Sequence, residues 1–292
     1  MPSASFFALF DDIALILDDV AAMSKVAAKK TAGVLGDDLA VNAEQVSGVK
    51  ADRELPVVWA VAKGSFFNKF ILVPSALLIS IFLPWLIVPL LLIGGLFLCF
   101  EGAEKIIEFF ESKSAKDEHK KEVLDALNDP NLDMAEFEQT KIKGAIRTDF
   151  VLSAEIIIIA LGTVAHVSLQ QQIAVLSVIA IGMTVGVYGL VAVIVKLDDV
   201  GLHWQQKPNV HLGNKILNVV GAGLLSFAPK LMKSLTWIGL VAMFLVGGGM
   251  LTHNIEWLHH FTANLLSDFE PSILTTLLST LMDGLYGIVA GL

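Results

Sequence analysis

Six long apolar stretches dominate this chain and decide the solvent in which it can fold. They cover residues 70–100, 150–166, 173–195, 216–228, 235–251 and 273–292. A helix needs about 20 apolar residues to cross the ~30 Å hydrocarbon core of a bilayer. Hydrophobic residues make up 55% of the 292 residues and charged residues 17%, whereas soluble proteins contain roughly 25% charged residues. We therefore predict an all-α, polytopic membrane helical bundle.

The first of these stretches is too long for a single crossing and contains proline. Proline removes a backbone hydrogen bond and kinks or breaks a helix. We therefore predict two antiparallel helices, over 68–83 and 85–101, that are joined at Pro84. A re-entrant loop that does not cross the bilayer is the competing interpretation. Pro229 is expected to break a second hairpin, over 214–251, in the same way.

Five short motifs occur twice in the same order, which indicates an internal repeat. They are Leu17-Asp18-Asp19-Val20 and Leu197-Asp198-Asp199-Val200, Asn68-Lys69 and Asn214-Lys215, Pro84 and Pro229, Gly94-Gly95 and Gly247-Gly248, and Asp149-Phe150-x-x-Ser153 and Asp268-Phe269-x-x-Ser272. Transporters are often built from such repeats. We predict two tandem, pseudo-symmetric four-helix copies, 1–166 and 167–292. The membrane helices number seven or eight, depending on whether helix 5–23 spans the bilayer. Segment 104–148, rich in Lys and Glu, is predicted to be a small cytoplasmic helical insertion.

Basic residues lie almost entirely on one side of this topology. Segments 24–69, 104–148 and 196–215 contain 18 of the 20 Lys and Arg residues. Since cytoplasmic loops are enriched in Lys and Arg, we predict that the lysine-rich loops are cytoplasmic and that the C-terminus is periplasmic.

Charge and cysteine content exclude several classes of function. The net charge of −9 leaves no basic excess for nucleic-acid binding. The single cysteine, Cys99, excludes an internal disulfide and a cysteine-built metal centre. The lipid bilayer is the expected partner. The chain is also compatible with a homo-oligomer and with a cytoplasmic partner that binds at 104–148.

Several of these motifs together resemble one known family. They are the opening Ser5-Phe6-Phe7-Ala8-Leu9-Phe10-Asp11-Asp12-Ile13-Ala14, the following Leu17-Asp18-Asp19-Val20, Asn68-Lys69 and Gly94-Gly95. The chain resembles the YedI-like family of bacterial inner-membrane proteins, known as domain of unknown function 808, over nearly its whole length. The resemblance implies a location in the bacterial inner membrane. It implies no activity, because that family has no established substrate or catalytic residues.

Acidic residues inside the predicted helices are the main candidates for a functional site. An ionisable group within a membrane helix costs about 2.5–3.5 kcal/mol on insertion scales and is a functional candidate by default. These acids are Asp11, Asp12, Glu155 and Asp283, with the repeated pairs Asp18-Asp19 and Asp198-Asp199. Carboxylates that converge in a low-dielectric cavity suit a cation or a proton. The competing interpretation is that these acids cap helices or are solvated at helix ends.

A histidine-rich segment offers a second candidate site. The spacing predicts that His253, Glu256 and His260 share one face of a helix, and these donors suit zinc or iron. The His-Glu-x-x-His motif of zinc peptidases is absent from the sequence, and so is the pair of Glu-x-x-His motifs of di-iron bundles. Histidines at a membrane boundary beside Trp257 are the competing interpretation.

Glycines within the third apolar stretch are predicted to be helix contacts. Small residues let membrane helices approach closely. Gly182, Gly186 and Gly189, with Gly221 and Gly223 in the next stretch, are therefore expected to face a neighbouring helix.

The function that these features favour is transport. We expect a secondary transporter or channel-like protein for a cation or small solute, with no cofactor other than a bound cation. A non-transporting membrane scaffold or assembly protein is the alternative. A membrane-embedded metalloenzyme ranks below both, and an enzyme is not expected. The sequence has no phosphate-binding loop, which argues against ATP-driven transport by this chain alone, and it has no nucleophile elbow.

Overall fold

The computed structural model describes residues 2–46, 53–110, 134–205, 212–266 and 273–292, and every regular element in these ranges is helical. The helices are α1 (Pro2–Val46), α2 (Glu54–Phe82), α3 (Ile87–Phe110), α4 (Met134–Thr163), α5 (Leu169–Gln205), α6 (Leu212–Asn254), α7 (Glu256–Leu266) and α8 (Ile273–Gly291). A short 3-10 helix, Pro84–Leu86, joins α2 to α3. The predicted all-α fold is confirmed. The middle of the predicted insertion, 111–133, lies outside the described residues.

Four helices of the described chain are long and apolar enough to cross a membrane. They are Glu54–Phe82, Pro84–Ile107, Leu169–Leu202 and Asn218–Asn254. Large apolar side chains on these helices face outwards, among them Phe70 and Val185, each 68% exposed. Contiguous apolar surface of this kind is rare on soluble monomers. These helices therefore indicate a membrane protein, while the count of seven or eight spans and the internal repeat stay predictions.

Pro84 and Pro229 occupy equivalent positions in the predicted repeat, but they affect their helices differently. α2 ends at Phe82, where the Leu83 N–H donates to the Ile79 carbonyl at 2.8 Å, and the chain turns at Pro84 as predicted. The break expected at Pro229 is wrong, because α6 continues through this residue. Proline removes only one backbone hydrogen bond, and membrane helices tolerate that loss when neighbouring helices surround them. α6 packs against α1, α3, α5 and α8, which supplies those neighbours.

Helices α1, α2, α4 and α5 enclose a core with two apolar layers. One layer contains Leu39, Val57, Val61, Ala145, Val187 and Val191. The other contains Val73, Ala76, Ile157, Leu161, Val175 and Leu176. Along α2 and α4, the segments between the two layers carry buried polar side chains, including Lys69 and Asp149. The fold therefore places a polar layer inside an apolar bundle.

Helices α3, α6 and α8 form a second packed group, and glycines at their contacts allow the helix backbones to lie close together. A Cβ atom on Gly95 would lie 3.0 Å from the Gly247 carbonyl oxygen, and one on Gly248 would overlap the Asp283 carbonyl. Membrane helices associate by this kind of close van der Waals contact. The two glycine pairs that define part of the repeat therefore contact each other directly.

The glycines of α5 behave differently from this expectation. A Cβ atom on Gly182, Gly186 or Gly189 would meet nothing within 4 Å. The prediction that they contact a neighbouring helix of the described chain is wrong. These glycines leave open space on the outer face of α5. The prediction is confirmed for Gly221 of α6, where a Cβ atom would lie 2.7 Å from the Gly201 carbonyl oxygen of α5, and is wrong for Gly223.

Candidate functional site

A buried ion pair lies in the polar layer between the two apolar layers. Lys69 Nζ on α2 is 3.6 Å from Asp149 Oδ1 on α4, and the two side chains are 6% and 7% exposed. Removing a charge from water costs several kcal/mol per ion, which an opposite charge and further hydrogen bonds must offset. The burial of this ion pair therefore has to be offset by hydrogen bonds from neighbouring polar side chains.

Four side chains of the described structure donate hydrogen bonds to Asp149. The Ser65 hydroxyl donates to Oδ1 at 2.8 Å, and the Tyr188 hydroxyl donates to the same oxygen at 2.9 Å. The Asn68 amide donates to Oδ2 at 3.0 Å, and the Ser153 hydroxyl donates to Oδ2 at 3.2 Å. Donors of this kind stabilise the charged form of a carboxylate. The site is therefore built to hold an anion at this position.

The same two serines connect the positive and the negative charge. Lys69 Nζ donates to Ser65 Oγ at 2.7 Å and to Ser153 Oγ at 2.8 Å. Each hydroxyl therefore accepts a hydrogen bond from the ammonium group and donates one to Asp149. Together with Asp149 Oδ1, these atoms surround the ammonium with three oxygens, which are the donors that hard cations prefer.

Tyr188 couples Asp149 to α1. Its hydroxyl lies 2.9 Å from Asp149 Oδ1 and 3.0 Å from Asn42 Oδ1. A phenol has one hydrogen to donate, so it bonds to only one of the two oxygens at a time. The Asn42 amide is oriented by its own hydrogen bond to the Asp38 carbonyl at 2.7 Å. A positive charge bound at Oδ1 would therefore redirect the Tyr188 hydrogen to Asn42.

A second buried carboxylate lies close to this network. Asp38 is 3% exposed on α1, and its charge acts on both Lys69 and Tyr188. A nearby negative charge favours the presence of a cation in the polar layer. Side chains from α1, α2, α4 and α5 thus contribute to one electrostatic cluster.

Polar contacts near both ends of α2 keep these helices in register. The Arg53 guanidinium contacts the Glu138 carboxylate on α4 at 2.9 Å. Towards the other end, the Ser80 hydroxyl donates to Gln172 on α5 at 2.7 Å. Because Lys69 lies between the two contacts, its position relative to α4 and α5 is held from both sides.

Two of the predicted site acids lie in different parts of the bundle. Glu155 is buried on α4 at 6% exposure, and it follows Asp149 in the same helix. Asp283 lies on α8 beside Thr252 and His253 of α6. Glu155 thus lies on a helix of the first packed group, whereas Asp283 lies on α8, which packs on α3 and α6.

The repeated aspartate pairs are placed separately from the ion pair. Asp18 and Asp19 are exposed on α1, and Asp19 accepts a hydrogen bond from the Gln171 amide at 3.2 Å. The remaining predicted acids lie in α1 and α5, with side chains outside the described part of the structure: Asp11, Asp12, Asp198 and Asp199.

The residues of the predicted histidine site lie at the junction of two helices. His253 is near the end of α6, and Glu256 and His260 are on α7, which begins after a one-residue interruption at Ile255. All three side chains are exposed. In the described ranges, no group of three or more His, Cys, Asp or Glu side chains is arranged to hold a metal ion.

Sequence reasoning missed the ion pair as a site, although both motifs were visible. Asn68-Lys69 and Asp149-Phe150-x-x-Ser153 are two of the repeated motifs. Each motif places an ionisable residue close to a polar residue that can form a hydrogen bond, at the edge of an apolar stretch. This combination could have identified the site from the sequence. The second copies of these motifs, at 214–215 and 268–272, have side chains outside the described part of the chain.

Comparison with known proteins gives a family but no activity. Residues 4–292 match the sequence model of a family described as "Protein of unknown function (DUF808)". No curated protein and no solved structure matches the chain.

Proposed function

This chain belongs to the DUF808 family, and we propose that it is a secondary transporter that exchanges a monovalent cation for a proton at the Lys69–Asp149 pair. The observation that carries the proposal is the pair itself, buried in a membrane bundle and joined to side chains from four helices. Ionisable residues inside a membrane protein commonly mark ion or proton pathways. The site that supports transport is therefore this pair rather than the acids selected from the sequence.

Charge balance determines the stoichiometry of the exchange. With Lys69 protonated, its ammonium group neutralises Asp149 across 3.6 Å. If Lys69 loses its proton, Asp149 is left as a buried charge without its partner, which is strongly unfavourable. One monovalent cation restores the balance. Cation binding and proton release are therefore linked one to one.

The oxygen atoms already present suit that cation. Ser65 Oγ, Ser153 Oγ and Asp149 Oδ1 surround the ammonium group of Lys69. Hard cations bind to oxygen donors of this type. When a cation takes the place of the ammonium charge, Tyr188 turns its hydrogen towards Asn42, as its two hydrogen-bond distances allow.

The pair is occluded in this conformation, so exchange requires a second conformation. Lys69 and Asp149 are each 5% exposed. Pro74 interrupts the backbone hydrogen bonds of α2 shortly after Lys69, and helices bend most readily at proline. We propose that α2 bends there and opens the pair to one side of the membrane.

We place the protein in the bacterial inner membrane with the lysine-rich loops in the cytoplasm. The support for this orientation is the concentration of Lys and Arg in segments 24–53, 104–148 and 196–215.

The test is an exchange assay in proteoliposomes that contain a pH-sensitive dye. Addition of Na⁺ or K⁺ outside the vesicles is expected to drive protons out of wild-type vesicles. Choline and protein-free vesicles are the controls. Asp149→Asn is expected to abolish the signal, while Glu104→Gln, which removes an exposed acid on α3, is expected to leave it unchanged.

Two results would contradict the proposal. One is the absence of proton movement with both cations, and the other is full activity of Asp149→Asn. Glu155→Gln and Asp283→Asn are measured in the same experiment. If these variants lose exchange while Asp149→Asn keeps it, the transport site consists of the acids selected from the sequence and not of the Lys69–Asp149 pair.

A further inference from the structure

An apolar groove runs between α2 and α5 on the outer face of the bundle. Its volume is about 650 Å³, within the roughly 300–1,000 Å³ of typical ligand sites. Leu55 and Trp59 line one end, Phe66 lines the other, and Tyr188 and Gly189 of α5 line the opposite wall. A Cβ atom on Gly189 would meet nothing within 4 Å, so the wall is open at that point.

One end of the groove carries a positive charge. Lys63 lines the groove, and its ammonium nitrogen lies 5.5 Å from the centre of the Trp59 ring. The Lys63 side chain therefore extends towards the Glu54 end of α2 and away from Phe66. Long basic side chains take this direction to keep their charge near the membrane surface. Trp59 is 65% exposed, and tryptophan is enriched at membrane interfaces.

The groove accommodates the part of an acyl chain that lies nearest the headgroup. Trp59 and Phe66 are seven positions apart on one helix, which is about 10 Å at 1.5 Å per residue. The hydrocarbon core is about 30 Å thick, so this length covers about two thirds of one leaflet. An acyl chain that begins beside Lys63 and Trp59 would therefore pass Phe66 before it reaches the middle of the bilayer.

We propose that this groove binds one anionic phospholipid, with the headgroup phosphate at Lys63 and an acyl chain along the wall formed by Tyr188 and Gly189. The positive charge at one end selects an anionic headgroup, and the apolar lining binds the chain. The proposal of a lipid site does not depend on the proposed cation exchange. Its test measures lipid binding only, so either proposal can fail without the other. It also places a lipid chain directly against Tyr188, whose hydroxyl contacts Asp149.

Native mass spectrometry of the delipidated full chain tests the proposal. Phosphatidylglycerol and phosphatidylcholine with identical acyl chains are added in turn, and the bound lipids are counted. A basic residue near an anionic headgroup contributes about 1 kcal/mol, which is about fivefold in affinity. We expect one tightly bound phosphatidylglycerol, about fivefold preferred over phosphatidylcholine, and loss of that preference in Lys63→Gln.

Two glycines of α5 provide a matched pair of variants. A Cβ atom on Gly189 or on Gly186 would meet nothing within 4 Å, but only Gly189 lines the groove. Gly189→Leu therefore adds its side chain to the groove, and Gly186→Leu adds the same side chain three positions away. We expect the first to weaken binding of both lipids and the second to leave it unchanged. Equal binding of both lipids, or unchanged binding in Gly189→Leu, would overturn the proposal. Loss of a dimer in Gly189→Leu, without loss of lipid, would assign the groove to a second copy of the chain.

Discussion

Neutralising one member of the Lys69–Asp149 pair is expected to cost far more stability than neutralising both. Lys69→Met leaves the Asp149 carboxylate buried at 7% side-chain exposure. Removing one partner of a buried ion pair costs about 3–5 kcal/mol. We expect about 3 kcal/mol, because four hydrogen-bond donors to Asp149 remain.

The double variant distinguishes a coupled pair from two separate contributions. If the Asp149→Asn variant costs a similar amount, additive effects would sum to about 6 kcal/mol for the pair. Because Lys69→Met with Asp149→Asn leaves no unpaired charge, we expect it to cost at least about 2 kcal/mol less than this sum. The assay is unfolding by sodium dodecyl sulfate in mixed micelles, followed by loss of helical circular dichroism.

A second ion pair in the chain provides the control for burial. Lys105 Nζ is also 3.6 Å from Glu101 Oε1, but these side chains are 20% and 21% exposed and lie on one helix. Neutralising either residue is expected to cost about 0.3–0.5 kcal/mol. Additive effects at Lys69 and Asp149, or equal costs for the two pairs, would refute the reasoning.

Three further predictions test the network, the packing and the orientation. Tyr188→Phe is expected to lower the unfolding free energy by about 1–3 kcal/mol, because it removes a buried donor to Asp149; an unchanged value would contradict the network. Gly248→Ala is expected to lower the unfolding midpoint, because a Cβ there overlaps the Asp283 carbonyl, while Gly186→Ala leaves it unchanged or higher; equal midpoints would contradict the glycine packing. A reporter inserted in the turn Pro84–Leu86 between α2 and α3 is expected to be periplasmic, because lysine-rich segments precede α2 and follow α3, and a cytoplasmic signal would reverse the predicted orientation.

Apolar composition and helical patterning were sufficient to predict an all-α membrane protein and the break at Pro84. They were not sufficient to predict that α6 continues through Pro229. The sequence shows which hydrogen bond a proline removes, but the packing around the helix decides whether the helix ends there. The same limit applies to Gly186, where the sequence shows a small residue and only the fold shows the open space beside it.

The ion pair escaped prediction because the predicted helix starts were too late. An expected helix over 68–83 places Lys69 at its end, where a lysine is readily solvated. α2 instead begins at Glu54 and α4 begins at Met134, so Lys69 and Asp149 lie well inside their helices. Their pairing also depends on the packing of α2 against α4, which residue periodicity alone does not specify. Acids such as Asp283 were selected by their apolar flanks, which contain no information about a partner.

Proton release on cation binding tests the central claim most directly. Purified protein in weakly buffered detergent solution is mixed with Na⁺ or K⁺, and a pH-sensitive dye counts the released protons. Charge balance at the Lys69–Asp149 pair predicts roughly one proton per chain with at least one of the two cations, and none from Lys69→Met. No release from the wild-type chain, or equal release from the Lys69→Met variant, would contradict cation–proton exchange at this pair.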